Sequence, residues 1–329
     1  MWDASWSATL ESPVTLVTSS ALSTQVYREQ LPAPRFAALA SCVWVQQISP
    51  EGPAYEHRTV PNGCIEVACV KGADVVSVIG PRREPVVERL PPGATVVGVR
   101  FRPGVPAAVL GANARELMGV RVELAQLWGR SALTAAERVG LAATPGEAAR
   151  VLEQEINARC AAGPDPDALV AETVDRLQPW RGGGLGEITS DLFISPRQLR
   201  RRCIAAFGFG PKTLHRILRF QGYLALTHAF DRHEVGLGWL AAAAGYFDQA
   251  HLTRECLTLT GLTPAAFLEE MRTSCGANHD HRATLDAPRR ALTMTRVASL
   301  NELRGSPVAA LKDAGNTADS YKRRRQVGA

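Results

Sequence analysis

Twice in its second half the chain repeats one pattern: a short apolar run, a tight turn, a polar cap, then a helix that is apolar on one side and polar on the other. The first copy spans Gly186–Cys203, where Ser195-Pro196 is an N-cap followed by a first-turn proline. In the helix it opens, Leu199, Cys203 and Phe207 recur every four residues and define a buried stripe. Arg197, Gln198, Arg200, Arg201 and Arg202 fall on the other faces, and arginines that close repel one another unless an anion lies opposite. The second copy spans Trp239–Cys256, with Gly245 in the turn, a polar cap three residues on, and Leu252, Cys256 and Leu259 as the stripe. Gln249, His251, Thr253 and Arg254 are left to face outward. Between the copies, Lys212–Phe230 is apolar at Leu214, Ile217, Leu218, Leu224 and Leu226, which predicts a linker helix.

The front of the chain follows a different period. Val43–Val45, Cys64–Val70, Val75–Ile79 and Thr95–Phe101 are β-branched or apolar runs, separated by turn clusters such as Pro61-Asn62-Gly63 and Pro91-Pro92-Gly93. After Pro103 the pattern turns helical. Thr144-Pro145-Gly146-Glu147 reads as a helix start, with Glu147 returning a bond to the cap, and Asp165-Pro166 opens a further helix toward Gln178. The fold class that follows is α+β: an N-terminal small β-barrel or sandwich with trailing helices, then an all-α domain of two helix-turn-helix units joined by a linker helix. The expected organisation is a poorly ordered 1–26, a sensor-like or dimerisation domain over 27–180, a helical domain over 181–274 and a basic, disordered tail over 275–329. Trp180–Gly184 is the expected flexible boundary.

Charge follows the same division. Residues 1–180 hold 16 Lys and Arg against 19 Asp and Glu, residues 181–272 hold 11 against 8, and residues 273–329 hold 10 against 5. An acidic front with a basic rear fits a polyanion at the rear. No apolar stretch approaches membrane-spanning length and no secretory signal pattern opens the chain, so the cytoplasm is the expected compartment and no membrane partner is expected. The seven cysteines are odd in number and contain no CxxC pair, which argues against a disulfide framework or a structural zinc. Cys64 and Cys69, five residues apart on one strand, face opposite sides. No P-loop, GxSxG or HExxH is present; no enzyme activity, cofactor, metal or catalytic residue is expected.

Several stretches together resemble the DNA-binding domain of the AraC/XylS family. They are Ser195–Arg201, Gly208-Phe209-Gly210-Pro211-Lys212, Arg216–Gln221, Ala244–Arg254 and Leu259–Pro264. The resemblance covers about ninety residues and implies seven helices, two of them entering successive major-groove segments on one face of a duplex. Three positions depart from the family pattern: Phe193 stands where a small turn residue is usual, and Cys203 and Cys256 stand where phenylalanine is usual. Val60–Cys64, Arg100–Gly104 and Leu124–Gly129 resemble an uncharacterised sensor-like domain that often precedes such regulators.

A sequence-specific transcriptional regulator is therefore expected, partnered by double-stranded DNA and RNA polymerase. Arg197, Arg200, Arg201, Gln249, His251 and Arg254 are the candidates for base contacts, because arginine's rigid fork suits guanine edges and the N-terminal half of a recognition helix approaches them. Ser195, Gln198, Arg202, Lys212 and Thr253 are the candidates for phosphate contacts. Glu255 could instead partner Arg254. Arg58, Glu66 and Arg100 are candidates for lining an effector cavity in the front domain, with surface charge as the competing reading. Control by a small molecule stays open beside a front domain that serves only dimerisation or partner binding.

Overall fold

The computed structural model describes residues 25–73, 75–105, 107–160, 163, 165–181, 184–229, 236–275, 279–281 and 284. It is a mixed α/β chain, with a sheet region at the front and helices behind. The front strands are β1 (Gln25–Gln30), β2 (Ala40–Ile48), β3 (Tyr55–Thr59), β4 (Glu66–Val70), β5 (Val76–Ile79), β6 (Val86–Leu90), β7 (Thr95–Phe101) and β8 (Arg121–Glu123). A short strand, β9 (His279–Asp280), returns from far along the chain. Among the described residues the strands form a seven-stranded sheet in the order β8-β5-β4-β7-β2-β1-β9 and a separate β3-β6 pair.

The large sheet has two unlike faces, as strict alternation requires. Val43, Val45, Val67, Cys69, Val76, Val78, Val97, Val99 and Phe101 point one way into an apolar core. That core is closed by helices: α1 (Ala114–Leu117), α2 (Leu124–Trp128), α3 (Arg130–Leu141) and α4 (Pro145–Cys160), which contribute Leu117, Leu124, Ala136, Val139, Leu152 and Ile156. The opposite face carries Tyr27, Cys42, Trp44, Ala68 and Val96, together with buried Gln25, Glu29, Gln46 and Glu66. The β3-β6 pair covers this side, where Leu90 packs on the cluster and Gln46 Nε2 lies 3.3 Å from His57 Nδ1. A Cβ on Gly98 would sit 2.3 Å from the Trp44 ring, so only glycine fits beneath that indole.

The rear half contains α5 (Ala168–Arg176), α6 (Leu185–Asp191), α7 (Pro196–Phe207), α8 (Pro211–Ala229), α9 (Leu237–Ala243), α10 (Gln249–Thr260) and α11 (Pro264–Cys275). They share one apolar cluster in which α8 is the spine, supplying Leu214, Ile217, Leu218, Phe220, Tyr223, Leu224 and Leu226. Leu199, Cys203 and Phe207 of α7, and Leu252, Cys256 and Leu259 of α10, are all buried in it.

Local details correct several expectations. Strand β1 takes in Gln25 and Val26, the last two residues of the stretch expected to be poorly ordered. Strands β3 and β6 were not expected, because neither is an apolar run. Glu147 bonds the amide of Ala143, one residue before the Thr144 cap, at 2.8 Å. The helix expected from Asp165-Pro166 starts at Ala168, because the Asp167 carboxylate accepts from the amides of Leu169 and Val170. Val170, Val174 and Leu177 of and after α5 lie in the rear core, so packing changes partner before α5 and not at Trp180. The expected tail of 275–329 begins too early: α11 reaches Cys275, and β9 pairs in parallel with β1 through Tyr27–His279 and Arg28–Asp280. The amide of Thr284 also donates to Glu29 at 3.0 Å. Residues 1–24 and 285–329 lie outside the described residues.

Candidate nucleic-acid interface

Both rear helix pairs turn by the same bonding. After α6, the amide of Phe193 donates to Ser190 O at 3.1 Å and that of Ile194 to Thr189 O at 3.1 Å. After α9, the amide of Gly245 donates to Ala242 O at 3.0 Å and that of Tyr246 to Ala241 O at 2.9 Å. These are the paired bonds of a left-handed helix stop. The left-handed residue is Gly245 in the second pair, at φ 83°, and Phe193 in the first, at φ 52°. Phe193 is the one non-glycine with positive φ among the described residues.

Each turn delivers a firmly capped helix. Ser195 Oγ accepts from the Gln198 amide at 3.2 Å, and Gln198 Oε1 accepts from the Ser195 amide at 2.8 Å. Asp248 Oδ1 accepts from the His251 amide at 2.6 Å. With the stripes buried, Arg197, Arg200 and Arg201 on α7, and Gln249 and Arg254 on α10, are exposed. Glu255 is paired with Arg216 at 2.8 Å, not with Arg254. His251 is half-buried, its ring edge-on to Tyr246 with centroids 5.3 Å apart. Tyr246 in turn lies under the Arg219 guanidinium at 4.7 Å.

Other expected contacts are committed elsewhere. Arg202 is paired with Asp167, the cap of α5. Ser195 and Gln198 bond each other in the cap, and Thr253 Oγ1 donates to Gln249 O at 2.9 Å. Lys212 is exposed in the first turn of α8. Cys203 and Cys256 are fully buried, and burial pushes the Cys203 thiol up to about 12.

The three front-half candidates separate. Arg58 is bonded to the rear half: its guanidinium holds the Glu270 carboxylate of α11 at 2.6 and 3.0 Å and the Thr260 carbonyl ending α10 at 2.9 Å. Alternation turns it away from the interior that its neighbour His57 faces. A second bond, from Gln221 Nε2 of α8 to Pro61 O at 2.8 Å, joins the halves beside it.

Glu66 and Arg100 do lie together, inside the polar face of the sheet. Arg100 donates to Glu66 at 2.9 Å, to Glu29 at 2.9 Å and to the Tyr27 hydroxyl at 3.3 Å. Burial alone would raise the Glu29 carboxyl, but hydrogen bonding from His281 and the charge of Arg100 bring it down to about 2. For Arg100 burial works toward loss of the proton, and the Glu66 and Glu29 carboxylates more than offset it. Tyr27, Glu29 and Gln46 were missed by sequence reasoning. Their signal was faint but present, since Gln25, Tyr27 and Glu29 alternate along β1 with only polar or aromatic side chains on the inward face. No group of three metal-ligating side chains occurs among the described residues, and no helix among them is long and apolar enough to cross a membrane.

Comparison with known proteins adds one family match: residues 28–123 fit a domain of unknown function, DUF6597. No curated protein matches the chain. Among solved structures, apo ToxT from Vibrio cholerae strain SCE256 is similar with TM-score 0.42 and 11% identity, over 69% of this chain and 96% of that one. ToxT from Vibrio cholerae O395 is similar with TM-score 0.37 and 8% identity, over 77% and 98%. Wild-type ToxT of strain SCE256 with bound unsaturated fatty acid gives 0.34 and 11%, over 74% and 93%.

Proposed function

We propose that the chain is a sequence-specific DNA-binding transcriptional regulator of the AraC/XylS type. The observation that carries this reading is the pair of capped helices, α7 and α10, which present Arg197, Arg200, Arg201, Gln249 and Arg254 to solvent while their apolar stripes are buried in one core. Each helix with its preceding partner is a helix-turn-helix unit, and α8 joins the two. Arg197, Arg200, Arg201, Gln249, His251 and Arg254 read base edges. Lys212 meets a phosphate, and Ser195 and Gln198 fix the start of α7 against the backbone. Arg202 drops out of the set, because Asp167 already holds it. The regulator works in the cytoplasm and acts through RNA polymerase.

Control resides in the front domain. A sheet face that buries Glu29 and Glu66 around a half-buried Arg100 has already met much of the cost of desolvating charge, and such a face suits a polar small-molecule effector. A melting temperature that rises with added small molecule supports this, whereas concentration-dependent dimerisation with no such rise favours a front domain that only assembles.

The DNA reading is tested by variants of the full chain. Arg201→Ala costs about 1–3 kcal/mol on the cognate duplex and relaxes preference at one base pair. If Arg201→Ala weakens cognate and scrambled duplexes equally at unchanged stability, that arginine belongs to the backbone set. If none of the six base-contact candidates alters preference, α7 and α10 are not the readers.

A further inference from the structure

Phe193 sits in the most demanding backbone position described in this chain. Its φ of 52° is a region that side chains with a Cβ occupy at a cost. The same chain solves the same turn with Gly245 in the second unit, so the geometry itself asks for glycine. Nothing in the fold recovers the cost, because the Phe193 ring is 95% exposed. Its neighbours do the packing: Ile194 and Leu192 rest on the rear core. An exposed phenyl held in a strained turn adds nothing to folding, and strain of this kind marks a functional position.

Its place in the chain identifies the partner. Phe193 stands two residues before the Ser195 cap of α7, the helix that presents Arg197, Arg200 and Arg201 to solvent. A protein partner would bury an apolar ring among apolar neighbours, but the surface that follows Phe193 is cationic. A duplex offers both halves of the match, with phosphates for the guanidiniums and apolar nucleotide faces for the ring. We propose that Phe193 is a DNA-contact residue, its ring packed on the apolar face of a nucleotide beside the site of α7, either a thymine methyl or a deoxyribose. The proposal rests on the DNA-binding reading above and assigns it a residue that the arginine and glutamine contacts do not include.

The test uses the full chain and a duplex selected by that chain from a randomised pool. Phe193→Gly is expected to weaken binding to this duplex by about fivefold to a hundredfold, while its melting temperature holds or rises because the turn is relieved. Phe193→Tyr, which keeps the ring, is expected to stay within about threefold of the parent. Repeating the selection with Phe193→Gly distinguishes the two nucleotide faces: loss of a thymine preference at one position assigns the methyl, and an unchanged preference assigns the sugar. The proposal is overturned if Phe193→Gly binds as the parent does, or if its melting temperature falls along with affinity, which would give the ring a folding role. It is also overturned if duplex binding is intact and only transcription by added polymerase is lost, since the ring would then face a protein. If the parent chain enriches no duplex at all, the regulator reading falls first and is seen to do so independently.

Discussion

The two halves of this chain bury charge to different depths. The front half buries Glu29 and Glu66 with Arg100 on one face of its sheet. In the rear half the buried polar residues are threonines, Thr173, Thr189 and Thr260, and its most enclosed charged pair, Arg219 with Glu255, keeps some exposure on both partners. Threonine can satisfy itself locally, as Thr173 does by donating to Leu169 O at 2.7 Å and Thr260 by donating to Cys256 O at 2.8 Å. A buried carboxylate also needs a cation, and Arg100 of β7 brings one to Glu29 and Glu66 from another strand. The rear half thus buries no carboxylate as deeply as Glu29 and keeps most of its charge, Arg197, Arg200 and Arg201 included, on the surface, which suits a scaffold that holds two helices against a polyanion. The front half carries charge inside, which suits recognition of something polar.

The contrast predicts where each half breaks. Glu29→Ala leaves Arg100 buried beside one carboxylate instead of two, and should destabilise the front half by about 3–5 kcal/mol, read by thermal melting. The same network predicts an acid response. The Glu29 carboxyl lies near 2 when folded against 4.5 for a free glutamate, so its contribution is complete above about pH 4.5 and is lost as pH falls toward 2. Melting curves across that window should show the front half losing stability, and Glu29→Gln should flatten the response. A response unchanged by Glu29→Gln would show that the carboxylate is not the group titrating.

In the rear half the matching lesion is apolar. Leu199→Ala removes a buried side chain from α7 and should cost about 2–5 kcal/mol with no such pH dependence. Smaller is the effect of Arg58→Ala, which cuts the clamp between the halves. Loss of three charge-assisted bonds across a half-buried contact should cost about 1–3 kcal/mol and lower the cooperativity with which the halves melt together. A single sharp transition in that variant would mean that other contacts, such as Gln221 with Pro61, suffice.

The rear half was legible because its signals are local. Ser195-Pro196 and Asp248 cap helices whose stripes recur within one or two turns, so α7 and α10 follow from short windows. In the front half, β2, β4, β5 and β7 were visible as apolar runs, whereas Tyr55–Thr59 and Val86–Leu90 were not, because a two-stranded cover with one wet side has no continuous apolar stretch. β9 was beyond reach, since two residues pair with β1 from some 250 positions away and only the folded shape joins them. Arg58 shows the same limit in the candidate site. Alternation says that it and His57 face opposite ways, but only the docking of α11 shows that Glu270 waits on its side.

The smallest effect concerns a single charge. Lys212→Ala should weaken cognate and scrambled duplexes about equally and lower the salt slope by about one. A change in sequence preference would make Lys212 a reader of bases.

The central claim, that the rear half meets a polyanion through α7 and α10, is tested most directly by the salt dependence of duplex binding by the full chain. Each phosphate neutralised contributes about −0.9 to the slope of log affinity against log salt. The account predicts a steep linear fall, made shallower by replacing Arg197, Arg200 and Arg201 together and unaffected by Glu29→Gln. A flat response, or a slope indifferent to those three arginines, would contradict it.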